Sequence, residues 1–410
     1  MEQIDVVIVG GGPAGLAAAV ELWKSGVRSL LIVEREKQLG GILRQCIHDG
    51  FGLTRFGVSL SGPEYAQRFI DQVEQLGIPY AVNTTVARLT PDRQVTLISP
   101  GGLRTLQARA VVLAMGCRER TRGALAIPGD RPAGVFTAGV AQAYINLFNR
   151  MVGKEVVILG SGDIGMIMAR RLTLEGAHVQ AVFEIQPIPS GLPRNIEQCL
   201  NDYGIPLHLH HTITQIHGRE RVTGVTVARV DDQLRPIAGT EKKLCCDTVI
   251  LSVGLLPENE LSIDAGISLD SHTRGAVVDE FFQTQRPGFF AAGNALHVHD
   301  LVDFVSEEAE QLAHSVAQYL RQGMLPRCRT AVAAGRGLNH TLPHFISGER
   351  DVTLSLRVAQ KVENGMLTVR QGGKVIASRK MKRAIPAEMI RLPLKREVFH
   401  GTETVEVSME

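Results

Sequence analysis

The chain has 410 residues, 44% hydrophobic and 21% charged, the profile of an ordinary globular protein long enough for two or three domains. Lys and Arg number 44 against 42 Asp and Glu, and that balance excludes a broad basic nucleic-acid surface. The N-terminal residues lack a basic start and a small-residue cleavage site, and no uncharged apolar run reaches about 18 residues, so the expectation is a cytoplasmic protein without a membrane span. The six cysteines, Cys46, Cys117, Cys199, Cys245, Cys246 and Cys328, include no Cys-x-x-Cys pair. A disulfide framework, a zinc ribbon and an iron–sulfur centre are therefore not expected.

Residues 4–10 read as a buried apolar strand, and Gly10-Gly11-Gly12-Pro13-Ala14-Gly15 follows, matching G-x-G-x-x-G at Gly10, Gly12 and Gly15. An alanine-rich helix then runs to Gly26, and a second strand ends at Glu34. Residues 40–76 are an excursion, with a helix beginning near Ser61 and Pro63 and placing Tyr65, Phe69, Val73 and Leu76 on one side. Residues 85–89 and 94–98 alternate, and 111–116 form a buried strand closed by Gly116. The pattern then repeats. Residues 156–159 lead into Gly160-Ser161-Gly162-Asp163-Ile164-Gly165, a helix runs to Gly176, and a strand ends at Glu184. First glycine to helix stop is 16 residues in both copies, and first glycine to acid is 24 in both.

A lone G-x-G-x-x-G is weak evidence, but two copies with the same offsets point to two dinucleotide-binding units. The first glycine allows a tight turn, the second lets a pyrophosphate approach the backbone, and the third lets helix and strand pack closely. The phosphates then meet the N–H groups of a helix N-terminus, and the acid at the second strand's tip accepts from ribose hydroxyls. Glu184, with no Arg among residues 182–188, favours NAD over NADP, because a carboxylate repels a 2′-phosphate.

Residues 286–294 form a short strand ending at Gly293, and a helix follows over 302–322. This strand suits the first unit, so the second is expected to be inserted into the first. The expected domains are 1–118 with 275–325, then 119–274, then a C-terminal region, 326–410. Within that last region, 351–395 is read as a small β domain with a hairpin at Gly372-Gly373. It carries no chemistry-bearing cluster and is read as a structural or subunit-contact module. The fold class is α/β, with two Rossmann-like domains and this β domain.

With both motifs in hand, residues 1–325 resemble the two-dinucleotide-binding-domain flavoproteins of the pyridine nucleotide–disulfide oxidoreductase superfamily. The branch includes the flavin subunits of hydrogen cyanide synthase, opine oxidase and amino-acid dehydrogenases. The carriers are Gly40-Gly41-Ile42-Leu43-Arg44-Gln45-Cys46-Ile47-His48, Gly116-Cys117-Arg118-Glu119-Arg120, and residues 292–300, Ala-Gly-Asn-Ala-Leu-His-Val-His-Asp. The terminal β region resembles an extension in relatives associated with anaerobic glycerol 3-phosphate oxidation. The resemblance implies FAD on Gly10, Gly12, Gly15 and Glu34, with Gly116, Gly293 and Asn294 near the flavin. It implies NAD(H) on Gly160, Gly162, Gly165 and Glu184. Asn294 stands where the family usually has Asp. Backbone N–H groups at Val302 and Asp303 are the candidate donors to reduced flavin.

The family's Cys-x4-Cys pair is absent, since position 51 is Phe, so Cys46 has no relay partner. Cys46 and His48 remain catalytic candidates, as a single reactive thiol and a proton donor, beside plain packing and hydrogen-bonding roles. His297 and His299 lack an evident third ligand, so no metal is expected; they are read as a flavin-pocket wall, a proton relay or structural residues. His208, His210 and His211 are read as surface or sheet-edge residues. Arg118 and Arg120 either attract phosphates or are solvated. The expected function is hydride transfer between NAD(H) and flavin in one subunit of a small-metabolite dehydrogenase, with a second flavoprotein as partner. A single-cysteine disulfide or peroxide reductase and an electron-transfer or assembly module are the alternatives.

Overall fold

The computed structural model describes residues 2–410. The chain divides into two compact units, residues up to Cys117 together with Pro257–Glu410, and Arg118–Leu256. Residues 257–274, read from the sequence with the second domain, fall in the first unit.

The first unit is built on five parallel strands. Their order is Tyr80–Ala81, Leu30–Val33, Glu2–Val9, Gly102–Leu113 and Phe289–Ala291. The strands Leu30–Val33 and Phe289–Ala291 are buried throughout, as parallel strands covered on both faces must be. An antiparallel extension, Thr85–Leu89 and Gln94–Ser99, continues from the long strand Gly102–Leu113. Helix Pro13–Lys24 carries Ala17, Ala18 and Ala19, all fully buried. These small side chains bring it close to helix Val302–Gln322, and Leu16 and Leu22 join Ala309, Leu312, Ala313 and Val316 in one apolar core. Helix Gly62–Gln75 begins at Ser61, whose hydroxyl accepts from the Glu64 N–H while the Glu64 carboxylate accepts from the Ser61 N–H. Its buried face is Tyr65, Ala66, Phe69 and Val73.

The β region is larger than 351–395. It starts at Thr330 and ends at Met409. A five-stranded sheet runs Phe345–Ile346, Thr330–Ala334, Val405–Met409, Val362–Gln371 and Lys374–Ala384, and a three-stranded sheet runs Leu338–Leu342, Val352–Val358 and Ile390–Leu394. Alternation in Val352–Val358 buries every second residue, and Leu354, Leu356, Leu367, Val369, Val405 and Val407 fill the space between. The expected hairpin at Gly372-Gly373 joins its two longest strands.

The second unit is a parallel sheet in the order Val135–Thr137, Thr248–Leu251, Glu155–Leu159, His178–Phe183 and Leu207–His208. A separate antiparallel sheet of His211–His217, Gly224–Arg229 and Lys242–Leu244 accompanies it. Among the described residues no helix is long and apolar enough to cross a membrane.

Candidate functional site

Strand Glu2–Val9 ends at Gly10, whose φ of +109° makes the turn that sends the chain into helix Pro13–Lys24. A side chain at Gly15 would lie 1.9 Å from the Gly10 carbonyl oxygen, so this glycine serves helix–strand contact. Gly12 differs: a Cβ there would meet only Gly41 Cα, at 3.8 Å. Its face is open at a helix N-terminus that no side chain caps, which is what a pyrophosphate needs. Glu34 is buried at the tip of the next strand and accepts from the Gly11 N–H and the Glu36 N–H, each at 2.8 Å.

The second unit repeats the turn and the strand-tip acid at corresponding residues. Gly160 turns at φ +97°, and Cβ atoms at Gly160 and Gly165 would meet Ser252 at 2.0 and 2.6 Å. Around Gly162 the nearest obstacle is the Ser252 hydroxyl, at 3.1 Å. Buried Glu184 accepts from the Ser161 N–H at 2.9 Å and the Gln186 N–H at 3.0 Å, the same two offsets that Glu34 uses. It also accepts from the Ser161 and Ser190 hydroxyls, at 2.6 and 3.1 Å. His208, His210 and His211, read as plain edge residues, run beside this acid. His208 stacks on Phe183, and the backbone N–H groups of His211 and His210 donate to the Glu184 and Gln186 carbonyls.

In the first unit the late flavin segment meets the first cradle. Gly293 packs where a Cβ would lie 2.9 Å from Ala14 Cβ, and its N–H donates to Glu308 Oε1 at 2.7 Å. Asn294 organises its own turn: Oδ1 accepts from the His299 N–H at 2.9 Å, and Nδ2 lies 3.5 Å from Cys117 Sγ. Gly116 closes its strand at φ +74°, and its carbonyl accepts from the Glu258 N–H. Arg118 and Arg120 are exposed.

Helix Val302–Gln322 starts where expected, with no side-chain cap. The Asp303 carboxylate has a task that sequence reasoning missed. It accepts from the backbone N–H groups of Gly52, Thr54 and Arg55, at 3.0, 2.8 and 3.1 Å, and so anchors the excursion. Arg55 adds an ion pair to Glu310. The Cys46 thiol donates to the Ile42 carbonyl at 3.4 Å, and burial pushes it up to about 12. His48 lies against Phe51 and its Nδ1 faces the Asp49 carbonyl at 3.2 Å.

Four residues beyond Gly293 lies a buried cluster. His297 Nε2 is 2.8 Å and His299 Nε2 3.4 Å from Glu308 Oε2. Glu308 is the third group that the sequence did not reveal. The imidazoles hold its carboxyl well below the usual carboxylate range. The β region closes over this segment. Arg357 donates to the Val298 carbonyl and pairs with Asp300, and the Met389 N–H donates to Asp300. His340 places its ring 6.2 Å from that of His297.

The sequence profile of the pyridine nucleotide-disulphide oxidoreductase family matches residues 4–333. The chain belongs to that family. It is 27% identical to the hydrogen cyanide synthase subunit HcnB of Pseudomonas protegens, over 71% of this chain and 66% of the relative. It is 27% identical to the glutamate synthase [NADPH] small chain of Escherichia coli (77% and 68%) and 26% identical to an opine oxidase subunit of Agrobacterium tumefaciens (71% and 61%). The chain thus spans about two thirds of the length of these relatives. Its fold is that of the thioredoxin reductase of T. acidophilum, at a TM-score of 0.62 and 23% identity, covering 78% of this chain and 99% of that one. The chain is therefore an FAD-dependent oxidoreductase of this family, with FAD and a nicotinamide dinucleotide as its cofactors. The open face at Gly12, set against a buried acid and a helix N-terminus, fits a dinucleotide.

Proposed function

We propose that this chain is the NAD(H)-linked flavin subunit of a multi-subunit dehydrogenase acting on a small metabolite of the amino-acid or glycerol 3-phosphate type. The first cradle, Gly10, Gly12, Gly15 and Glu34, would hold the ADP half of FAD, with Gly116, Gly293 and Asn294 along the flavin. The second, Gly160, Gly162, Gly165 and Glu184, would hold the nicotinamide dinucleotide. The bound flavin supplies the hydride chemistry. The chain's part is to grip each pyrophosphate on backbone N–H groups, to orient each adenosine by its acid, and to aim the start of helix Val302–Gln322 at developing negative charge.

The observation that carries this reading is Cys46. It has no cysteine five residues on, and burial pushes its thiol up to about 12, whereas a thiolate is what attacks a disulfide or peroxide. That favours transfer to a partner over a thiol relay in this chain. Two relatives carry names that make them subunits, one of hydrogen cyanide synthase and one of opine oxidase, which supports a second flavoprotein as partner. NAD is preferred here because Glu184 offers a carboxylate where a 2′-phosphate would have to sit, although one relative is named for NADPH.

The test is anaerobic mixing of the purified, FAD-loaded protein with NADH and NADPH separately, following flavin absorbance. Rapid bleaching by NADH, slower with NADPH, is expected. The reverse order overturns the NAD assignment. Bleaching only when a partner is added favours an assembly module, and loss of turnover in Cys46→Ser favours the single-cysteine reductase.

A further inference from the structure

We propose that His297, His299 and Glu308 form a binding site for one first-row divalent metal ion, of which zinc is the probe, between the late flavin segment and the C-terminal β region. One donor atom from each residue lies within 4.8 Å of the others. Two imidazoles and a carboxylate are a donor set that suits zinc, iron, manganese and nickel.

The orientation of His299 is the strongest argument. Its Nδ1 lies 3.0 Å from the His297 carbonyl oxygen. A carbonyl only accepts, so Nδ1 is turned to donate, and Nε2 is the ring atom left to face Glu308. Nε2 points at Glu308 Oε2, 3.4 Å away. Both side chains are nearly excluded from solvent, at 3% and 10% exposure. A buried pair of this kind is held together by a proton or by a metal ion between the two atoms, and an ion draws in the second imidazole as well. An N–H to backbone carbonyl bond on the far side of the ring is also how metal-bound histidines are oriented.

The spacing suits a metal. Bonds of 2.0–2.1 Å in a tetrahedron put neighbouring donors about 3.3 Å apart. The His299 to Glu308 distance matches, and His297, at 2.8 Å, has to draw back by roughly half an ångström. The second Glu308 oxygen is fixed by the Gly293 N–H, so the carboxylate is aimed before any ion arrives. His297 Nδ1 and His340 Nε2 are both buried without a hydrogen-bond partner. A metal on His297 Nε2 would place the ring proton on Nδ1, the unpartnered nitrogen. His299 and Glu308 also line a cavity of about 60 Å³ together with Gln311 and Arg391. This leaves a fourth position for water or an anionic oxygen ligand.

The experiment uses the FAD-loaded protein, stripped with a chelator and then supplied with zinc chloride. Crystals of the zinc-loaded protein are measured on both sides of the zinc absorption edge, and zinc affinity is measured in solution for the unmodified protein and His299→Gln. One anomalous peak bounded by His297 Nε2, His299 Nε2 and Glu308 Oε2 is expected. Loss of an outer-shell partner typically costs 10–100-fold in metal affinity, so loss of a ligand should cost at least about 100-fold. No peak at that place under saturating zinc, with or without peaks at surface histidines, means that a shared proton satisfies the cluster and overturns the proposal. Equal zinc affinity in folded His299→Gln does the same. Should that variant not fold, diffraction from the unmodified protein decides. Neither arm depends on which nicotinamide reduces the flavin.

Discussion

At Glu184, four hydrogen bonds from Ser161, Ser190 and Gln186 already hold the carboxylate. A ribose bound there would have to share this carboxylate with, or displace, the two serine hydroxyls. Glu184→Ala removes a charge-assisted acceptor worth roughly 1.5–3 kcal/mol, so NADH affinity should fall about tenfold or more. An NADH titration that gives the unmodified value would reject the role. Asp303→Asn tests the anchor on the excursion. An amide offers one acceptor to three backbone donors and turns an N–H toward them. The expected result is faster hydrogen exchange over 52–56 and a loss of about 2 kcal/mol in urea unfolding; unchanged exchange would reject the anchor. Asp279 tests pH. Burial raises its carboxyl to about 7, above its unfolded value, so the fold prefers it protonated. The stability it permits is complete below about pH 4 and declines as pH rises toward 7. Its Oδ1 accepts from the Phe281 and Gln283 N–H groups, and Asn can accept both. Asp279→Asn should therefore gain at least about 1 kcal/mol over the parent between pH 5 and pH 8, read from urea midpoints at each pH. Equal differences at the two pH values would count against it.

Among elements, the two cradles were legible because glycine positions and strand-tip acids are local signals tied to backbone geometry. Helix Val302–Gln322 was legible by its apolar residues interleaved with acids. Glu308 was not. It reaches His297 only because the helix turns back across the Gly293 segment, and no spacing rule ties a loop histidine to a carboxylate eleven residues on. The three amides that Asp303 binds lie about 250 residues away in the chain and leave no local trace. The glycines of one motif should also separate in experiment. Gly12→Ala adds a Cβ into open space, so the protein should fold with unchanged far-UV circular dichroism yet purify with little bound FAD. Gly15→Ala drives a Cβ to 1.9 Å from a carbonyl oxygen and should lose fold and flavin together. Full FAD content in Gly12→Ala would show that the pyrophosphate does not cross there.

For the molecule as a whole, the β region read from sequence as a separate module shares a compact unit with the first cradle. Among the contacts that join them are Arg357 with Asp300 and the Val298 carbonyl, Arg391 with Glu307, and Ser347 with Glu280. No local pattern announces such a contact, because an arginine in an alternating strand ordinarily faces water. The nested order of the chain also governs its synthesis. Strand Glu2–Val9 and its neighbours emerge early, but Phe289–Ala291, which completes their sheet, leaves the ribosome only after all of Arg118–Leu256. The early half must wait with one edge of its sheet unsatisfied while the inserted unit, continuous in sequence, is free to collapse first. Nascent chains halted before residue 289 should thus be the stage most dependent on chaperones.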